Sequence, residues 1–155
     1  MSEGPRSSTP QAVLFACGLN SIRSPMAMGL FRQMFGKNVY VGSAGVRKGE
    51  PDPFAIAAME EIGIDMTKHR PQTFEELDEW EGLNFDLIVS LSPEAHHRAL
   101  DLTRTVAADV EYWPTPDPSG TGGNREQVLD AYREVRDQLM KRIRDRFGGR
   151  RSGNE

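Results

Sequence analysis

The stretch VLFACGLNSIRSPMA, Val13–Ala27, places the one cysteine of the chain, Cys17, at the end of a short apolar run, with Arg23 six residues on. Between them lie Gly18, Leu19, Asn20, Ser21 and Ile22, enough chain to turn from a strand into a helix. The backbone N–H groups of such a loop can converge and form a concave anion site. The free N–H groups and positive dipole end of the following helix add to it. The planar guanidinium of Arg23 offers paired donors to two oxygens of a phosphate. The same donors favour a thiolate at Cys17 over a thiol. A thiolate facing a bound phosphoryl group is a nucleophile for phosphoryl transfer. Taken alone, a cysteine closing an apolar strand is more often a buried small hydrophobe. Arg23, Ser24, Pro25 and the strand–loop–helix context tip the reading toward chemistry.

Positioning such a loop requires a scaffold, and the apolar pattern supplies one. Short apolar runs at Ala12–Cys17, Asn38–Gly45, Phe85–Ser92 and Ala107–Trp113 read as strands. Helical segments alternate with them. The first starts near Ser24, read as its N-cap with Pro25 at the first helical position, carries Met26, Leu30 and Met34 on one face, and stops at Gly36. The second opens at Asp52–Pro53, the third spans PQTFEELDEWEGL, and the fourth spans PEAHHRALDLTR. After the loop PTPDPSGTGGN a final helix carries Val128, Tyr132, Val135, Leu139 and Ile143 as one stripe. Alternation of this kind implies an α/β fold, a three-layer α/β/α arrangement around a four-stranded parallel sheet. In such sheets ligands bind beyond the carboxyl ends of the strands. Cys17 and the loops holding Ser43 and Asp117 converge on that edge.

The 155 residues suit one domain, predicted over 12–148, with 1–11 a disordered lead-in and 149–155 a loose tail. The net charge of −4, with acidic residues outnumbering basic ones, argues against nucleic acid as a partner. The basic cluster Lys141–Arg151 reads as a solvated helix face and tail. No apolar run approaches the roughly 20 residues of a membrane helix, and the polar start lacks the apolar core of a secretory signal. A single cysteine fits a reducing cytoplasm, which is the expected compartment. His69, His96 and His97 match no zinc spacing with Cys17, so no metal or other cofactor is expected. His96 and His97, on the fourth helix, read as solvated.

The loop CGLNSIRSPMA resembles the Cys-x-Gly-Asn-x-Cys-Arg-Ser-Pro-Met-Ala signature of the low-molecular-weight protein tyrosine phosphatases, whose fold the arsenate reductases share. SAG at Ser43–Gly45, GIDMTKHRPQ at Gly63–Gln72, FDLIVSLS at Phe85–Ser92 and Asp117–Pro118 are similar to further family segments, in the family's order. The resemblance implies a cysteine-dependent phosphatase acting on phosphoprotein monoesters, phosphotyrosine first. Cys17 is then the nucleophile, Arg23 and the 18–24 loop hold the phosphoryl oxygens, and Asp117 is the acid and then the base. Ser24 supports the thiolate, and Asn20, Ser24, Ser43 and His69 form the hydrogen-bond network that holds the loop. The implied partners are a phosphorylated protein and inorganic phosphate or a similar oxyanion, with neither nucleic acid nor membrane.

Four departures from the signature bear on function. Leu19 stands where the family has glycine, so either the loop differs locally or Leu19 forms a pocket wall. Ile22 replaces a second cysteine, leaving no partner in the chain to trap an oxidised Cys17. SGTGG at Ser119–Gly123 replaces the tyrosines that follow the Asp-Pro in tyrosine-directed members, leaving Trp113 and Tyr112 as candidate aromatic walls. Ser21 is small and polar, nearer the arginine-phosphate-directed members than the tyrosine-directed ones. The competing functions are therefore a protein arginine phosphatase, an arsenate reductase that draws on an external thiol, and a catalytically silent phosphate- or partner-binding module.

Overall fold

The computed structural model describes residues 10–148. Strand β1 spans Ala12–Cys17, β2 Tyr40–Gly45, β3 Leu87–Ser90 and β4 Asp109–Tyr112. They form one parallel sheet in the order β2-β1-β3-β4. Helices α1 (Arg23–Phe35), α2 (Pro53–Glu60), α3 (Phe74–Trp80), α4 (Pro93–Leu102) and α5 (Arg125–Ile143) separate and flank the strands. A short turn of 3-10 helix spans Pro118–Gly120, and a wider helical turn, Arg144–Gly148, follows α5. β1 coincides with its apolar run, while the other three strands are two to four residues shorter than theirs, since the outer residues of those runs lie beyond the ladder.

The side-chain alternation of β1 sorts the core into two layers. Val13, Phe15 and Cys17 point to one face, where they meet Leu30 and Phe31 of α1, Met59 of α2, and Tyr132, Val135 and Leu139 of α5. Leu14 and Ala16 point to the other, against Phe74 and Leu77 of α3 and Ala95 and Ala99 of α4. The expected three-layer α/β/α architecture is thus present. The chain leaves β1 for β2 on one side and returns to β3 on the other, so β1 is the point where strand order reverses. A crevice opens there beyond the strand ends.

Local chemistry explains the element boundaries. Asp52 caps α2 by accepting from the N–H groups of Phe54 and Ala55. Thr73 and Glu76 form a reciprocal capping box at α3, and Asn124 and Gln127 do so at α5. At α1 the expectation fails. The helix starts at Arg23, Ile22 precedes it without a side-chain cap, and Ser24 is its second residue, its hydroxyl turned to Cys17. Gly36 ends α1 in ordinary right-handed geometry (φ −66°), its N–H donating to the Arg32 carbonyl.

The stripe on α5 is rotated slightly from the expected one. Leu129 is buried where Val128 is only half-buried, and Arg136 enters the core, donating to the Ala58 carbonyl and to Glu61. The described part of the basic cluster is not simply solvated. Arg146 pairs with Glu111, Arg142 lies over the Trp113 ring, and Phe147 packs edge-on against Phe31 at 5.0 Å. Residues 1–9 and 149–155, including most of the predicted lead-in and the whole tail, lie outside the described residues. Gln11 is tied to the sheet, its N–H donating to Asp86 and its carbonyl accepting from Tyr40.

Candidate active site

The loop from Gly18 to Ile22 is shaped from outside. The segment after β2 lies along it and donates to its carbonyls: Val46 N–H to the Cys17 carbonyl (3.2 Å), Arg47 N–H to Gly18 (2.8 Å) and Gly49 N–H to Leu19 (3.0 Å). With those carbonyls satisfied on the outer side, the loop is fixed as one wall of a cup. Gly45 is required by this contact, because a Cβ there would stand 2.8 Å from Asn20 N and 2.9 Å from Leu19 C.

Asn20 is the pivot. Among the described residues it is the one non-glycine with positive φ, at 58°, a conformation asparagine tolerates better than most residues. Its amide nitrogen donates to Ser24 Oγ and to Ser43 Oγ, both at 2.9 Å. Its side-chain oxygen accepts from Gln72 N–H at 2.9 Å, and its carbonyl meets His69 Nε2 at 2.9 Å. Both amide hydrogens of a buried asparagine are thereby used. Asn20, Ser24, Ser43 and His69 are therefore brought together. Burial pushes the His69 imidazole below its ordinary pKa, with the Asn20 carbonyl pulling the other way. A neutral ring facing a carbonyl carries its proton on Nε2 and donates it.

This network ends on sulfur. Ser24 Oγ already accepts from Asn20, so its own hydrogen is free to donate to Cys17 Sγ, 3.0 Å away. The Asn20 N–H donates to the same sulfur at 3.3 Å. The thiol is 2 % exposed, at the base of a cavity of about 130 Å³. Leu19, Ser21, Ile22 and Arg23 line that cavity together with Glu50, Asp52, Asp117 and Ser119. Leu19, 44 % exposed, is thus a pocket wall, and its backbone needs no left-handed conformation. Gly18 is buried beside the Arg47–Glu94 ion pair.

Arg23 reaches the cup from the first turn of α1. Its NH1 donates to the Thr115 carbonyl (2.9 Å), and its NH2 stands 3.8 Å from Asp117. Asp117 crosses from the loop after β4 and accepts from Ser119 N–H at 2.9 Å. Burial pushes its carboxyl up, but the hydrogen bonds from Ser119 and the Arg23 charge outweigh it, so its pKa is below the usual value. Asp52, the cap of α2, also faces the cup and is held by Tyr132 OH at 2.9 Å. Burial and that carboxylate push the Tyr132 phenol well above its ordinary range.

The aromatic walls expected from Trp113 and Tyr112 are absent. Trp113 is buried against Phe15, and Tyr112 stacks on His96 at 4.5 Å. His96 is correspondingly not solvated: its Nδ1 meets Ser90 Oγ at 2.9 Å, whereas His97 is exposed. Gln72, Thr115 and Glu50 join or support the site without having been singled out in the sequence, and Asp52 and Tyr132, which read there as a helix start and a core-stripe residue, do so too. Gln72 lies in the quoted Gly63–Gln72 segment, but its two bonds, to Asn20 and Ser43, connect residues too far apart in sequence to be read. A larger groove, about 900 Å³, opens at the opposite end of the sheet around Tyr40, Phe85 and Asp86, away from the thiol. Among the described residues no group of three or more His, Cys, Asp or Glu side chains is arranged to hold a metal. None of the helices described is long and apolar enough to cross a membrane.

A cup with sulfur at its base, the Asn20 N–H directed to that sulfur and a guanidinium on its wall is suited to a tetrahedral oxyanion. Comparison with known proteins agrees. The family model described as low molecular weight phosphotyrosine protein phosphatase matches residues 12–148. An arsenate reductase of Halalkalibacterium halodurans is 33% identical over 136 residues, 86% of this chain and 93% of that protein. The low molecular weight protein tyrosine phosphatase of T. tengcongensis superposes with a TM-score of 0.68 at 26% identity, over 86% of this chain and 95% of that one. The YwlE arginine phosphatase, solved with a phosphorylated active-site serine, does so at 0.68 and 26%, over 86% and 91%. Since the match runs from β1 through the turn after α5 and takes in Cys17, Arg23 and Asp117, the chain belongs to the low molecular weight phosphotyrosine protein phosphatase family.

Proposed function

We propose that the chain is a cysteine-dependent phosphatase that hydrolyses phosphoprotein monoesters, phosphotyrosine first, through a phosphocysteine. The observation that carries this reading is the thiol of Cys17 at the base of the cup, with Arg23 and Asp117 above it. Cys17 Sγ attacks phosphorus as the thiolate and forms the S–P bond while the P–O bond to the side chain breaks. Protonated Asp117 gives its proton to the departing oxygen. The loop N–H groups and Arg23 hold the equatorial oxygens, whose charge rises in the transition state. Asp117, now a carboxylate, takes a proton from water as that water attacks phosphorus. The S–P bond breaks, and Ser24 donates to the sulfur that leaves. The thiol's depth favours a phosphoryl group on a long side chain.

A second reading draws on relatives named arsenate reductase. Arsenate fits the same cup, but reducing it to arsenite takes two electrons. A chain with Cys17 as its one cysteine gains a disulfide only with a sulfur from outside, so this reading requires an external thiol.

Phosphate release from p-nitrophenyl phosphate, measured from mildly acidic to neutral pH on reduced protein, tests the first reading. Turnover that falls by about 10³-fold or more in Cys17→Ser supports it. No turnover by the wild type, together with arsenite production in the presence of an external thiol, moves the second reading forward.

A further inference from the structure

The mouth of the cup carries more negative charge than an oxyanion site requires, and one carboxylate there is uncommitted. Asp117 is held by Ser119 and faces Arg23, and Asp52 is held by the start of α2 and by Tyr132. Glu50 is exposed, lines the same cup, and makes no hydrogen bond or ion pair with any described residue. The cations that precede it are turned away: Arg47 donates to Glu94 at 2.8 Å and Lys48 to Glu76 at 2.8 Å. A second observation marks the same wall. Ser21 Oγ, on a residue 6 % exposed, is the one buried side-chain polar atom among the described residues with no hydrogen-bond partner. It lies beside Gly49, next to Glu50, where a Cβ would stand 2.5 Å from it. A buried hydroxyl without a partner is costly to leave unpaired. The wall is therefore unfinished until something enters.

A free carboxylate at the lip of a site for a doubly charged phosphoryl group repels that group, unless the substrate brings a positive charge with it. We propose that Glu50 is a specificity-determining residue that reads a cation carried by the substrate close to its phosphoryl group. Two sources share this chemistry: the guanidinium of a phosphorylated arginine, or the side chain of a basic residue adjacent to a phosphotyrosine. The inference rests on the reading of the cup as a phosphoprotein site.

The test uses phosphotyrosine peptides that differ only in an Arg, Ala or Glu beside the phosphorylated residue, and a phosphoarginine peptide flanked by Ala. Wild type, Glu50→Gln and Glu50→Lys are compared by kcat/KM. Binding of the same peptides to Cys17→Ser, with and without Glu50→Gln, is measured in parallel by calorimetry. If the cation is a neighbour, wild type prefers the Arg-flanked peptide about two- to fivefold over Ala, the range an exposed ion pair supplies. Glu50→Gln removes that preference, Glu50→Lys reverses it toward the Glu-flanked peptide, and added salt weakens it. If the cation is the leaving group, Glu50→Gln lowers phosphoarginine turnover by the same factor and leaves the flanking order flat. Either pattern supports the proposal. Equal effects of Glu50→Gln on all four peptides, in turnover or in binding, overturn it. Absence of turnover on every peptide defeats the phosphatase reading, and the binding ranks still decide the role of Glu50.

Discussion

Asp117 has two demands placed on it by the proposed reaction. It must hold a proton when the ester bond breaks, yet in the free protein the hydrogen bonds from Ser119 and the nearby Arg23 favour its carboxylate. A dianionic phosphoryl group drawn onto Arg23 weakens that bias, because it shares the guanidinium and adds a like charge beside the carboxylate. The sign follows directly. With a lowered pKa, the protonated acid of the free protein is lost as pH rises through the acidic range, so kcat/KM is highest on the acidic side and falls toward neutrality. Asp117→Asn is expected to slow phosphotyrosine peptides by about 10²- to 10⁴-fold. p-Nitrophenyl phosphate, whose leaving group needs little protonation, should be much less affected, which a pH–rate comparison of the two substrates checks. At this scale the spacing of Cys17, Arg23 and Asn20 could be read in the sequence, because the loop is local. Ser24 reads as a cap because Ser-Pro is a helix-start signal; in the structure the bond to Cys17, within a network that reaches Ser43, takes precedence. Glu50, Gln72 and Thr115 could not be read, since each reaches the cup from a distant loop.

At the level of elements, the loop is held between two segments, Val46–Gly49 after β2 and His69–Gln72 before α3. The second clamp includes a half-buried histidine, and it is burial, not the bond to the Asn20 carbonyl, that disfavours its charged ring. Burial lowers the folded-state pKa of His69, so the unfolded chain binds a proton first as pH falls. Stability is therefore complete above the unfolded value, about 6.5, and is lost as pH drops below it. Thermal melts from neutral to mildly acidic pH should show that decline in the wild type and a flatter profile in His69→Gln. Replacing the ring with alanine removes the donor to the Asn20 carbonyl and is expected to cost about 1–2 kcal/mol. Unchanged acid sensitivity in His69→Gln would show that this clamp is not the titrating element. The elements themselves were legible because apolar runs and caps are local signals, as Asp52–Pro53 shows. The walls were not: Trp113 and Tyr112 follow the strand into packing with Phe15 and His96, which depends on the sheet's neighbours.

For the molecule as a whole, the sheet order places the end of β1 between two neighbours and buries the thiol under loops drawn from three strand ends. That architecture was readable from strand–helix alternation. The same chain gives Cys17 no second cysteine to pair with. Peroxide should carry it past sulfenic acid to sulfinic acid, a step thiol reductants do not reverse. Prolonged peroxide followed by dithiothreitol is expected to leave activity lost, with inorganic phosphate in the cup slowing that loss. Full recovery would point to a protective trap other than cysteine.

The central claim is that Cys17 carries the phosphoryl group. Rapid acid quench of the protein during turnover of p-nitrophenyl phosphate, followed by peptide mass spectrometry, tests it most directly. The account predicts one added phosphoryl group on the peptide containing Cys17, formed with a burst of nitrophenol and absent in Cys17→Ser. Steady turnover with no burst and no adduct on that peptide would contradict it, and would place water, not sulfur, as the group that attacks phosphorus.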